Sequence, residues 1–294
     1  MKKVAITGAS GLLGQAITPA LRARGCEVVT LSRTAGPGRV PWNPEGSWDA
    51  TPLEGCDGVI HLAGENIGQR WTPEKKERIR ASRVDGTASL CKALLSLASP
   101  PPVFVSASAI GLYGNRGDEL LSEDSARGKG FLSDVVSAWE EAAQPFRDAG
   151  TRVVSLRLGM VLAEEGGALA KMLTPFRLGA GGPIGSGKQY MSWVAREDAA
   201  RAFVFALEQQ GLQGACNVVA PQPVRNAEFT KILGRVLGRP ALLRAPASAV
   251  RVMFGEMADE LLLSSTRVEP GRLLEAGFTF QYPDLEKALR AILG

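Results

Sequence analysis

Two hydrophobic patterns alternate along the first half of the chain. Val4 to Thr7, Val28 to Leu31, Val59 to Leu62, Val103 to Ser106 and Val153 to Leu158 are short, continuous apolar or β-branched runs. Runs of this kind, as opposed to strict alternation, mark parallel strands covered on both faces. Between them apolar residues recur at helical spacing, with Leu13, Ala16, Ile17, Ala20 and Leu21 on one face and Leu90, Ala93, Leu94 and Leu97 on another. The pattern predicts βαβ units whose five strands share one sheet, an α/β doubly wound parallel architecture. Pro19 falls inside the first helix, where it removes a backbone hydrogen bond and predicts a kink or local widening.

Beyond Gly159 the alternation breaks. Gly179, Gly181, Gly182, Pro183, Gly185 and Gly187 form a glycine-rich loop, followed by a helical pattern from Asp198 to Leu207. Cys216 to Val219 reads as one more short strand, and from Asn226 the chain reads as helical. Phe229, Ile232, Leu233 and Val236 share one helix face, and Leu285, Ala288, Leu289 and Ile292 share another. Gly277 falls where a helix starting near Pro270 would stop, with Phe278 placed to fold back on it. The organisation expected is a sheet domain over 1–160 and a smaller, mostly helical lid over 161–294, from which a strand near 215–219 returns to the sheet.

Composition narrows the function. Among the 294 residues, 34 Lys and Arg oppose 30 Asp and Glu, a formal charge of +4 spread along the chain without a basic block. Nucleic acid is therefore not an expected partner. The single histidine, His61, excludes a site built from several imidazoles, and its place in an apolar strand reads as a satisfied core residue. No metal site is expected. Cys26, Cys56, Cys91 and Cys216 lie far apart and read as reduced cytosolic thiols. No apolar run approaches the roughly 20 residues a membrane span needs. Met1 to Lys3 leads directly into the first strand, leaving no room for a signal peptide, so a cytoplasmic location is expected.

Residues Thr7 to Gly14 read TGASGLLG, directly after the first strand and at the start of the first helix. In that context Gly8 permits a tight turn, Gly11 lets the backbone approach a pyrophosphate, and Gly14 lets the helix pack close to the sheet. Free amides at the helix start, around Ser10, Leu12 and Leu13, would face the anion. The second strand ends in Ser32 and Arg33 where a carboxylate would select an unmodified ribose. Arginine offers a charged planar fork to a 2′-phosphate, so NADP is the expected cofactor; the competing reading of Arg33 is a solvated surface charge. Thr72 and Pro73 start a helix on which Lys76, Arg80 and Arg83 share one face beside Glu77, either a solvated face or a border of the cofactor cleft.

Three segments carry a resemblance: TGASGLLG, DGVIHLAG from Asp57 to Gly64, and VSASAIGLYG from Val105 to Gly114. They resemble the extended short-chain dehydrogenase/reductases. HLAGENI from His61, GGPIGSGKQYMSW from Gly181 and RVEPGRLLEAGF from Arg267 are similar to the epimerase-like (YfcH-type) proteins of that superfamily. The resemblance implies an NADP-binding Rossmann domain with a small C-terminal domain, in a superfamily that oxidises, reduces or epimerises nucleotide sugars and related alcohols. It also implies that Ser32, Arg33, Leu62, Ala63, Glu77, Arg83 and Val161 line the cofactor site, with Gly64 and Ser106 at the neighbouring strand ends.

The chain departs from that family at its catalytic pair. An extended short-chain dehydrogenase carries a tyrosine four residues before a lysine that lowers its pKa. None of Tyr113, Tyr190 and Tyr282 has such a lysine, and the helix that should carry the pair reads FLSDVVSAWEE from Phe131 to Glu141. Ala195 stands where related loops more often have histidine, and Asp198 shortly after reads as a helix cap. Ser106 and Ser108 remain at a strand end; either they satisfy backbone groups, or Ser108 polarises a substrate carbonyl while Tyr113 donates the proton. The loop from Gly185 to Gln189 could close over a substrate, with Lys188 and Gln189 as contacts. Two functional readings follow: an NADP-dependent oxidoreductase or epimerase-like enzyme acting on a small hydroxylated or nucleotide-sugar-like substrate, and a catalytically silent NADPH-binding sensor or scaffold.

Overall fold

A computed structural model describes residues 1–34, 36 and 38–294. Seven strands form the central sheet: β1 (Lys3–Thr7), β2 (Glu27–Ser32), β3 (Arg39–Pro41), β4 (Gly58–His61), β5 (Val103–Ala109), β6 (Arg152–Leu158) and β7 (Gly214–Val218). Their order is β7-β6-β5-β4-β1-β2-β3 and every pairing is parallel. The chain winds outward from β1 through β2 to β3, then returns past β1 to β4 and continues to β7. The direction of winding reverses between β1 and β4, which opens a crevice at the carboxyl ends of those strands.

Because successive side chains point to opposite faces of a strand, Val4 and Ile6 enter one core and Ala5 the other. On the first face α1 (Leu12–Arg22) contributes Ile17 and Leu21 against Val105, Val154 and Leu156. On the second, α2 (Pro73–Leu95) contributes Leu90 and Leu94 against Val59, Phe104 and Val153. α3 (Phe131–Glu141) packs beside α2. α1 runs on through Pro19, whose ring is exposed, so the proline does not end the helix.

The C-terminal half adds α4 (Gly167–Arg177), α5 (Arg196–Glu208), α6 (Asn226–Val236), α7 (Ala247–Phe254) and α8 (Leu285–Leu293). α5 packs on α1 and covers the first face of the sheet. α4, α6 and α8 instead gather around Trp193 and Phe229 in a separate core. The stretch after Asn226 is not helical throughout, since Arg267–Val268 pairs in parallel with Leu120–Leu121, 147 residues earlier in register. The turn expected at Gly277 is present: the amides of Gly277 and Phe278 donate to the carbonyls of Leu274 and Leu273 at 2.9 Å each, and Phe278 is buried. Among the described residues, no helix is long and apolar enough to cross a membrane.

Candidate functional site

The crevice begins where β1 ends. Gly8 has φ +69°, and a Cβ there would lie 2.9 Å from the Leu62 carbonyl carbon, so the β1 turn touches the backbone leaving β4. A Cβ on Gly14 would come within 2.3 Å of the Gly8 carbonyl oxygen, which fixes the approach of α1 to the turn. Gly11 differs: its Cβ would meet only the Gly8 oxygen, at 3.2 Å, and otherwise project into open space. Gly11 is also the N-cap of α1, with no side-chain acceptor and no acidic residue in the first turn. The first-turn amides of Leu12 and Leu13 therefore present an uncompensated positive helix end beside exposed Ser10. The segment after Met160–Leu162 covers this turn, because Leu12 lies against Gly166 and Gly167, and Val161 is half-buried next to it.

Positive charge gathers at the neighbouring strand ends. Ser32 closes β2, with its hydroxyl 3.2 Å from that of Thr34. Arg33 is exposed and has no carboxylate within ion-pair distance among the described residues. After β4, exposed Gly64 lies over the Arg83 guanidinium, which a Cβ at that position would contact at 3.2 Å. Arg83 donates to the carbonyls of Glu65 and Ile79 at 3.1 and 3.2 Å and packs over the Trp139 ring. Burial pushes its pKa down to about 10. The Glu65 carboxylate is paired with buried Lys75 and lies 4.0 Å from Arg78. The Lys75 hydrogen bond, with the charges of Lys75, Arg78 and Arg33, holds the Glu65 carboxyl below its usual range. Lys75 and Arg78 thus sit at one carboxylate, with the charges of Arg33 and Arg83 farther off. Glu77 sits farther out: with Trp71, Lys76, Arg80, Phe131 and Glu256 it lines a cavity of about 420 Å³ at the seam between α2, the start of α3 and the C-terminal segment.

The two hydroxyls expected to serve a substrate are engaged elsewhere. Ser106 donates to the Ala107 carbonyl at 2.9 Å. Ser108 donates to Glu140 at 2.5 Å, and Glu140 forms two parallel bonds with Arg157, each 2.9 Å. Arg157 also donates to the Tyr113 hydroxyl at 2.9 Å, and Tyr113 donates in turn to Asn217 at 2.7 Å. Ser108 and Tyr113 are therefore joined through Glu140 and Arg157. Tyr113 is fully buried, and burial raises its phenol pKa. Its hydroxyl is shared between the Arg157 donor and the Asn217 acceptor.

Other expectations change for similar reasons. The glycine-rich loop is a clasp between Pro183 and α6, not a free flap: Gly185 donates to Ala245, Ala245 to Pro183, and Ala227 to Gly187. Gln189 is buried and donates to the carbonyls of Ile184 and Leu262, while Lys188 remains exposed. Asp198 does not cap its own helix. It is buried in the first turn of α5 and accepts the amides of Gln281 and Tyr282 at 2.8 Å each, tying down the chain before α8. Glu260 carried no sequence signal, yet it accepts the first amides of α3, Phe131 at 2.7 Å and Leu132 at 2.8 Å. α3 has Gly130 as N-cap and no side-chain cap of its own, so the C-terminal segment supplies the missing acceptor.

A seven-stranded parallel sheet with a glycine turn at its switch point and an uncompensated helix N-terminus defines the Rossmann class of nucleotide-binding folds. The profile of the NAD dependent epimerase/dehydratase family matches residues 4–219, and that of a domain of unknown function, DUF1731, matches residues 245–292. The chain belongs to the NAD dependent epimerase/dehydratase family. It is 42% identical over 296 residues to epimerase family protein SDR39U1 of Mus musculus, covering 99% of each chain. To epimerase family protein YfhF of Bacillus subtilis (strain 168) it is 37% identical over 297 residues, covering 99% of this chain and 97% of that protein. The crystal structure of human epimerase family protein SDR39U1 (isoform 2) with NADPH matches with a TM-score of 0.92 at 38% identity, over 99% of this chain and 98% of that one. A nucleoside-diphosphate sugar epimerase from Corynebacterium glutamicum matches with a TM-score of 0.84 at 37% identity, over 100% of this chain and 58% of that one.

Proposed function

We propose that this chain binds NADP(H) in the crevice between the carboxyl ends of β1, β2 and β4. The observation that carries the reading is the open space at Gly11 beside the uncapped start of α1, next to Arg33 at the end of β2 and to Lys75, Arg78 and Arg83 on the first turns of α2 near Glu65. The pyrophosphate would lie on the amides of Leu12 and Leu13 above Gly11, whose own amide donates to the Gly8 carbonyl, with Ser10 at the rim and Gly8 and Gly14 shaping the turn. Ser32 and Arg33 would take the 2′-phosphate, since no carboxylate closes β2. Leu62, Ala63, Gly64 and Arg83 would form the wall from β4, Val161 would cover the turn, and Ser106 would close the floor. The human relative crystallised with NADPH supports the same cofactor. A bound nicotinamide would supply a hydride donor or acceptor. The test is selectivity: Arg33→Ala should weaken NADPH by about tenfold or more and change NADH by no more than about twofold, because only NADPH offers the phosphate. Parallel weakening of both, measured by calorimetry, would place Arg33 outside the 2′-phosphate contact.

On the chemistry, the family and its nucleotide-sugar relatives support an oxidoreductase or epimerase-like activity on a small hydroxylated or nucleotide-sugar-like substrate. A specific observation favours the second reading, a catalytically silent NADP(H)-binding sensor or scaffold. Ser108 donates its hydrogen bond to Glu140, Tyr113 donates its own to Asn217, and no tyrosine has the assisting lysine. A panel of carbonyl compounds and nucleotide sugars should therefore give neither NADPH consumption nor isotope exchange with the cofactor, while NADPH still raises the melting temperature. Isotope exchange belongs in the assay because an epimerase that returns its hydride consumes no net cofactor. Turnover or exchange abolished by Ser108→Ala or Tyr113→Phe would restore the enzyme reading.

A further inference from the structure

The only histidine in the chain is fully buried at the end of β4, directly opposite Thr7 of β1. Its Nδ1 lies 2.7 Å from the Thr7 hydroxyl, and its Nε2 lies 3.0 Å from the Thr87 hydroxyl on α2. The same Thr7 oxygen accepts the amides of Leu62 at 3.1 Å and Ala63 at 3.2 Å. A hydroxyl has one hydrogen and two acceptor positions. The two amides fill both acceptor positions, so the Thr7 hydrogen must go to Nδ1. Nδ1 is then an acceptor, the ring proton sits on Nε2, and Nε2 donates to Thr87. Burial, with the nearby charge of Arg83, pushes the imidazole pKa down to about 3 and keeps this ring neutral. Phe104 stacks on the ring and Trp42 meets it edge-on, each with centroids 5.9 Å away, so its plane is fixed.

We infer that His61 is a positioning residue for the crevice: through the Thr7 hydroxyl it sets where the Leu62 and Ala63 backbone lies against the Gly8 turn. This rests on the reading that the crevice holds a dinucleotide. The coupling is direct, because Gly8 and Leu62 are already in backbone contact and Thr7 precedes Gly8 in the chain. A ring protonated on Nδ1 would itself donate to the Thr7 oxygen and compete with the two amides for its two acceptor positions. One amide would then lose its partner, and the wall opposite the pyrophosphate would shift. A histidine that merely filled the core would need neither a defined tautomer nor a hydroxyl at position 7.

Two measurements on the full chain test this. ¹⁵N NMR of the unmodified protein at neutral pH should show His61 as the neutral Nε2–H tautomer; an Nδ1–H tautomer or a charged ring would overturn the relay without reference to any cofactor. NADPH titration of Thr7→Val and Thr7→Ser then separates positioning from packing. Valine keeps the shape and removes the hydroxyl, so it should weaken NADPH by about tenfold, roughly the worth of one hydrogen bond, and speed amide exchange at Leu62 and Ala63. Serine keeps the hydroxyl and should restore binding to within about threefold. Valine that binds like the parent, with Leu62 and Ala63 still protected, would overturn the proposal. A parent that does not bind NADPH would overturn the cofactor reading instead, while the tautomer and the exchange rates still judge the relay. Should Thr7→Val fail to fold, Thr87→Val carries the same exchange test from the outer end of the relay.

Discussion

Arg157→Leu should lower the free energy of unfolding by about 3–5 kcal/mol, the cost of leaving one member of a buried ion pair alone. Arg157 is 9% exposed and Glu140 16%, and their two parallel bonds have the geometry in which a guanidinium and a carboxylate compensate each other. Without Arg157, Glu140 keeps only the Ser108 hydroxyl, and Tyr113 loses the donor to its oxygen. The network also holds strands together, since Ser108 and Arg157 are register neighbours on β5 and β6 and Tyr113 reaches Asn217 on β7. The double variant Arg157→Leu with Glu140→Leu should recover most of the loss, because replacing both charges removes the unpaired group. Urea unfolding reads both results. A single variant that loses less than about 1 kcal/mol would mean that Glu140 is hydrated and the pair contributes little, as exposed pairs do.

That network is also where the sequence was least informative. β1, β2, β4, β5 and β6 are legible because a parallel strand covered on both faces must be apolar throughout, a property of consecutive residues. β3 is not, for it is three residues at the sheet edge with proline at its end and no apolar run. The glycine turn is legible for the same local reason: its geometry is set within eight residues, between Thr7 and Gly14. Ser108 and Tyr113 carry no comparable signal, because their partners lie 32 and 104 positions away and are identified only when the sheet assembles. Asp198 shows how a local rule misleads. An acidic residue at a helix start suggests a cap, but this one serves amides 83 and 84 positions later in the chain. Glu260 is the converse case, a true cap supplied to α3 from 129 positions beyond it.

Gly11→Val should abolish NADPH binding while leaving the fold close to intact, and the reason lies in the contrast among the three glycines of the turn. Side chains at Gly8 and Gly14 would strike this protein's own backbone, at 2.9 Å and 2.3 Å, so Gly14→Ala should disrupt the turn whether or not a ligand is present. At Gly11 the only close protein atom is the Gly8 oxygen at 3.2 Å, an approach a small adjustment relieves. Valine would therefore fit the free protein and occupy the space above the α1 amides. A pyrophosphate displaced from those amides loses hydrogen bonds to an anion, each worth about 1.5–3 kcal/mol, so two lost contacts alone weaken binding by about 10²–10⁴-fold, and the steric clash adds to that loss. Circular dichroism and urea unfolding should show near-parental behaviour for Gly11→Val and a loss of stability for Gly14→Ala. Calorimetry with NADPH should show no heat of binding for Gly11→Val, and its melting temperature should stay constant as NADPH rises while that of the parent climbs. Parental NADPH affinity in a folded Gly11→Val would place the pyrophosphate away from the α1 amides and undo the pose on which the cofactor assignment stands.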